Sequence, residues 1–357
     1  MFRGVIAPVQ PYRVVAEIAT GLEPEGVAVD AQRRRAFVAC ARSDAVTVVE
    51  LGSGLVVAEI PVGREPMDIA FDDATGRLFT ADLLAETVSV VDSAALRLVR
   101  SVPVGLYPSG LALDARRRRL YCGCALSATV SVIDVDGLEV IATVDAQPGA
   151  GAIAVDAERS RVYCANFLAG SLTVLDARKH RVLQEIEVGA APCAVAVNSV
   201  RGELYAANSF ADTVTRIDLE TLSVSGTMNV DRTPVGAAVA PAGDRLYVSN
   251  RGSGTVSVLG VGDGVEWARI PVGDGPGGCT VDPLTGHLLV ANAGAGSLTV
   301  VEDLLSGPPA SFPEKPQHEL LGRQLPPFRL PDLRTGMMRT SREWAERKYI
   351  LNFFASW

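Results

Sequence analysis

Residues 108–146 read PSGLALDARRRRLYCGCALSATVSVIDVDGLEVIATVDA. The apolar period in this stretch is two, not 3.6. Residues 110–113 form a short apolar run, 114–119 a turn opened by Asp114, 120–124 a second run, 129–134 a polar–apolar alternation and 138–144 a fourth run. An aspartate opening a turn accepts hydrogen bonds from its own downstream backbone, and the link 125–128 is short enough for a hairpin. The stretch therefore predicts four consecutive antiparallel strands.

The pattern recurs along the chain. Pro24, Pro66, Pro108, Pro192, Pro234 and Pro276 lie on one comb of spacing 42, and Ala150 fills the remaining place. Phe37, Phe79, Tyr121, Tyr163, Tyr205, Tyr247 and Leu289 keep the same comb, followed three residues on by Cys40, Asp82, Cys124, Asn166, Asn208, Asn250 and Asn292. Seven such units span 21–314 without an insertion. Four strands per 42 residues match one propeller blade. The ends decide between a ring and an open solenoid. Residues 12–20, YRVVAEIAT, align with the fourth strand of the first unit, LVVAEIPVG at 55–63, while the seventh unit lacks a fourth strand before the chain turns proline-rich at 306. Closure removes two bare sheet edges. The expectation is all-β: a seven-bladed β-propeller over 12–305, with an N-terminal strand closing blade 7 and residues 1–11 as an arm.

VYCAN, LYAAN and LYVSN at 162–166, 204–208 and 246–250, followed by TVSVID- or TVSVL-type strands, resemble the YVTN β-propeller repeat family. That resemblance implies binding or scaffolding. The Asn of the pattern is replaced by Cys40 in blade 1 and Asp82 in blade 2, so those turns are expected to be built differently.

Beyond the propeller, 306–324 reads as a Pro-rich linker. Residues 325–336, LPPFRLPDLRTG, then a short helical stretch at 341–348 and the apolar run YILNFFASW at 349–357, are similar to the opening of a redoxin domain, the thioredoxin-fold group of thiol-specific antioxidants and alkyl hydroperoxide reductases. The resemblance implies an incomplete thioredoxin-like α/β segment at 325–357. It also implies a redox cysteine or selenocysteine immediately after Trp357, acting on a disulfide or peroxide substrate. The expected catalytic residue is thus not in this chain, and three explanations stand side by side: a fragment, a frameshift, or a UGA codon for selenocysteine read as stop.

The 357 residues carry a formal charge of −8, which argues against nucleic acid as a partner. No apolar run reaches the length of a membrane span, and no signal peptide is read at the N-terminus, so a cytoplasmic monomer is expected. A mis-assigned start codon would make it periplasmic. The six cysteines (40, 122, 124, 164, 193, 279) contain no C-x-x-C, and His180, His287 and His318 share no ligand spacing, so no metal or cofactor is expected. Cys193 and Cys279 are the candidates for a resolving thiol. The glycine pattern at 273–278 matches G-x-G-x-x-G but precedes a strand, not a helix, so it is no dinucleotide fingerprint.

Two surfaces are candidates for a protein partner. Arg33, Arg34 and Arg35 and Arg116, Arg117, Arg118 and Arg119 share one rim, either as caps of exposed turns or as a docking patch for an acidic partner. The opposite rim carries Leu83, Leu84, Leu126, Phe167, Leu168 and Phe210 in loops that are usually polar, with Asp44, Arg64, Arg232 and Arg251 nearby in phase. A lactonase-type hydrolase, the least favoured alternative, needs convergent carboxylates, arginines or histidines at the channel mouth, and the comb shows no reliable set of them. The expected function is a docking or sensing platform for a downstream redoxin, with a non-catalytic interaction propeller as the alternative.

Overall fold

The computed structural model describes residues 11–304 and the backbone of two short paired strands, Arg329–Pro331 and Met338–Thr340. The linker 306–324, the helical stretch 341–348 and the strand 349–357 expected from sequence lie outside the described residues. The chain divides into two units, and Pro11–Ser306 is the larger.

The larger unit is a propeller of seven four-stranded antiparallel sheets. Blades 1 to 6 cover 24–61, 66–103, 108–145, 150–187, 192–229 and 234–271, each paired in chain order from the innermost strand outward. Blade 7 has three strands of its own, and Tyr12–Ala19 pairs with Ser297–Asp303 as its fourth, with Tyr12 opposite Asp303 and Ile18 opposite Leu298. The ring therefore closes as the aligned 12–20 segment predicts.

The core is not central. It consists of seven apolar layers, one at each blade–blade interface, including the layer between blades 7 and 1 that contains Ile18, Val38, Leu289 and Leu298. The comb aromatics Phe37, Phe79, Tyr121, Tyr163, Tyr205 and Tyr247 fill these layers and are fully buried. At Asn166, Asn208, Asn250 and Asn292, the amide nitrogen donates to the hydroxyls five and seven residues on, at 2.7–3.2 Å. The asparagine thus ties the second strand to the third, and only Asn208 accepts from a loop N–H, that of Gly189. Asp82 fills the same place by accepting from Thr80, Thr87 and Ser89. Cys40 and Cys124 contact the hydroxyls of Thr47 and Ser131 through sulfur, and their thiols also lie within weak hydrogen-bond reach of the Val38 and Cys122 carbonyls.

The arginine runs are clamps, not a free basic patch. Arg33 and Arg117 pair with the aspartate that opens their own turn, Asp30 and Asp114. Arg34 reaches back to Asp282 of blade 7, and Arg118 to Asp72 of blade 2 and Asp136. Arg119 pairs with Asp134, Arg116 with Glu158, and Arg35 donates to the Ser93 carbonyl of blade 2. Asp72 and Asp282 are buried, so each needs its cation. Arg34 and Arg118 hold left-handed φ values of 53° and 56°, where blades 2, 5 and 7 place Gly76, Gly202 and Gly286. Arg118→Ala is expected to lower the unfolding free energy by about 2 kcal/mol. Arg116→Ala, which breaks an ion pair exposed on both sides, should change it by less than about 0.5 kcal/mol in the same urea titration.

Candidate functional site: the channel mouth

Every innermost strand carries a β-bulge just after the comb position, with register shifts at Pro24/Gly26, Pro66/Asp68, Pro108/Gly110, Ala150/Ile153, Pro192/Ala194, Pro234/Gly236 and Pro276/Cys279. A bulged residue leaves the ladder and is re-aimed. Here the unpaired residues are Glu25, Met67, Ser109, Gly151 and Ala152, Cys193, Val235, and Gly277 and Gly278, and all of them line one cavity of about 620 Å³ in the channel. Leu126, Phe167 and Leu168 form its lip from the loops after the second strands of blades 3 and 4. Tyr107 lines it from the loop ahead of blade 3.

The wall has two chemical halves. On blades 3 to 5 it is apolar, with Ile153, Ala194 and Val195 below the lip. On the other side Arg251 of blade 6 crosses the small residues Gly277 and Gly278 of blade 7 to pair with Glu25 of blade 1. Burial pushes the Glu25 carboxyl up, against the opposing pull of Arg251. The Nε of Arg251 is buried and has no partner among the described residues.

Asp68 bridges blades 2 and 3. Its two oxygens accept from the backbone N–H groups of Ile69 and Leu111, each at 2.8 Å. Burial raises its pKa to about 6 despite those two bonds. A carboxyl raised on folding stabilises the protein fully below its unfolded value near 4, and that stabilisation is lost as pH rises through about 6. Asparagine offers one acceptor oxygen where two are used, so Asp68→Asn is destabilising at pH 4. Because the variant has no such titration, its deficit relative to the parent should shrink by about 2–3 kcal/mol between pH 4 and pH 7, measured by urea unfolding at each pH.

The structure gathers part of the residue set expected on this rim. Arg251, Leu126, Phe167 and Leu168 line the cavity, and Phe210 packs edge-on against Phe167 with ring centroids 5.5 Å apart. Leu83, Leu84 and Arg64 sit apart on blade 2, where Arg64 donates to the Leu84 carbonyl at 2.8 Å. Arg232 is exposed beside blade 6, and the Asp44 carboxylate accepts from the Glu65 N–H, tying two loops together. Arg251, placed on this rim by the sequence, does reach the mouth, and two carboxylates that the comb did not reveal, Glu25 and Asp68, line it as well. The signal for Glu25 was its place directly after a comb proline. Cys193 and Cys279 also line the cavity, but burial raises both thiols, Cys279 to about 11, so neither is a ready thiolate at neutral pH. Among the described residues no group of three or more His, Cys, Asp or Glu gathers to hold a metal ion, and no helix is long and apolar enough to cross a membrane.

The fold is shared with known proteins. The chain is similar to a solved chain of Kuenenia stuttgartiensis hydrazine synthase, with a TM-score of 0.67 and 20% identity over 79% of this chain and 96% of that one. At that identity the likeness is one of fold alone. No curated protein matches the sequence. A family model described as YNCE-like β-propeller matches residues 14–200, more than half of the 357. The match does not extend to 325–357. On that match, together with seven closed blades, the chain belongs to the YNCE-like β-propeller family.

Proposed function

We propose that this protein is a binding propeller whose ligand or partner docks over the channel mouth on the face of blades 3 to 5. The observation that supports the reading is a break in charge. The successive loops 104–107, 125–128, 146–149, 167–170 and 188–191 contain no charged residue, nor does 209–211. The same loops of blades 1, 2 and 6 carry Glu23, Arg42, Asp44, Arg64, Glu65, Glu86, Asp231, Arg232 and Arg251. Within the uncharged sector Leu106, Tyr107, Leu126, Leu168 and Phe210 are exposed. An apolar centre depleted of charge with a charged surround is the anatomy of a recognition surface. The test is saturation-transfer NMR with neutral aromatic fragments. Transfer is expected from the parent protein and should vanish in Leu126→Glu/Leu168→Glu; equal transfer in both would refute the site.

A second reading draws on the redoxin-like sequence at 325–357, with the propeller as docking platform for a thiol- or selenol-based redoxin that continues beyond Trp357. Sequencing the gene past the Trp357 codon tests it. A cysteine codon or an in-frame UGA followed by a redoxin frame supports it, and the absence of such a frame removes it.

A further inference from the structure

We propose that the occupant of the mouth is an uncharged, apolar peptide segment of a partner protein, which buries a side chain against Leu126, Phe167 and Leu168 and presents a backbone carbonyl to Arg251. The inference rests on the binding reading above and adds the class of partner. Three observations carry it.

The first is extent. The uncharged sector covers loops of three blades, and charge returns only at the outer strand ends Asp145 and Glu187 and at Asp212. The cavity alone, about 620 Å³, suits a few side chains, while the exposed Leu106 and Phe210 lie outside its lining. A small molecule that filled the cavity would leave this flanking apolar surface in water. A peptide segment covers both.

The second is the polarity of the far wall. The buried Nε–H of Arg251 lacks a partner among the described residues. A buried donor of this kind calls for an acceptor. The acceptor should be neutral. Glu25 already supplies the counter-charge to Arg251, and Asp68 adds a second carboxylate to the wall, so a carboxylate or phosphate would be repelled. A ligand cation offers no acceptor to the Nε–H. A peptide carbonyl satisfies the donor without bringing charge.

The third is the nature of the anchors. The lip pairs Phe167 edge-on with Phe210 and adds two leucines, Leu126 and Leu168, that are mostly exposed. Clustered aromatic and aliphatic anchors at the edge of a pocket are where binding energy concentrates in protein interfaces.

The experiment uses the full chain and a phage-displayed library of random 12-residue peptides, with enriched sequences synthesised and their affinities read by fluorescence polarisation. Enrichment of uncharged segments with an aromatic or aliphatic residue is expected. Leu126→Ser/Leu168→Ser should weaken them at least tenfold. Arg251→Lys, which keeps a cation for Glu25 but removes the Nε–H, should weaken them five- to tenfold. Both leucines are exposed, so the double variant should stay folded, and its melting curve confirms that. Absence of enrichment over bare phage overturns the proposal, as do enriched peptides that are highly charged or insensitive to the leucine substitutions. A dimer by light scattering that the leucine substitutions dissociate also overturns it in favour of a second copy, and single-stranded oligonucleotide binding lost in the same variants overturns it in favour of nucleic acid. If aromatic fragments bind at the mouth while no peptide does, the peptide inference alone falls; if neither binds, the binding reading falls with it.

Discussion

Gly123→Ala should unfold at a free energy lower than the parent by at least about 3 kcal/mol, a large loss for the addition of one methyl group. Gly123 stands between Cys122 and Cys124 on the second strand of blade 3, in extended backbone. A β-carbon there would come within 2.9 Å of the Gly151 carbonyl carbon in the innermost strand of blade 4, and closer still to its oxygen. Neighbouring Gly110 has the same constraint, its β-carbon falling 2.7 Å from the Ala152 Cα. The obstruction is backbone in both cases, so no rotamer change relieves it and the two blades must separate. Gly52 provides the control, because nothing lies within 4 Å of a β-carbon built on it. Gly52→Ala should stay within about 0.5 kcal/mol of the parent. Equal effects of the two substitutions in a urea titration would mean that blades 3 and 4 do not approach so closely.

Removal of residues 1–19 should lower the melting temperature by at least about 10 °C, or leave no soluble monomer to melt. The deletion strips the outer strand from blade 7 and exposes the Ser297–Asp303 edge. It takes Ile18 out of the layer between blades 7 and 1. It also removes Tyr12, which packs edge-on to Tyr247 with centroids 6.4 Å apart, beside the buried ion pair of Arg245 with Asp303. The peptide YRVVAEIAT supplied in trans should restore part of the loss. A trimmed protein that melts with the parent would show that the ring does not depend on this strand.

The blades were legible because a period-two pattern repeated seven times at a fixed spacing leaves few folds, and because the orphan strand at 12–20 matched the strand missing from blade 7. The chemistry of the mouth was far less legible. Period-two alternation says nothing of a bulge, and it is the bulge after each comb position that turns Glu25 and Met67 into the channel. Arg251 was read as a rim residue, but its partner lies two blades away and the contact depends on the absence of side chains at Gly277 and Gly278. The arginine runs left two readings open, turn caps or a docking patch, because Asp72, which neutralises Arg118, belongs to another blade's turn 46 residues earlier. The apolar lip, by contrast, could be read directly, since Leu126, Phe167, Leu168 and Phe210 stand in loop positions where polar residues are the rule.

The most direct measurement is methyl NMR of the full chain titrated with a neutral nitroxide, 4-hydroxy-TEMPO, which broadens methyl groups where it lingers on apolar surface. Leu126 and Leu168, 65% and 72% exposed, have counterparts of equal exposure on the opposite rim in Leu284 and Val200, at 67% and 77%. Simple access therefore broadens all four alike. A binding mouth predicts that Leu126 and Leu168 broaden well beyond Leu284 and Val200, and that Ile153, only 7% exposed but lining the cavity, broadens with them. Equal broadening on the two rims, with Ile153 untouched, would contradict the assignment of the channel mouth as the binding site.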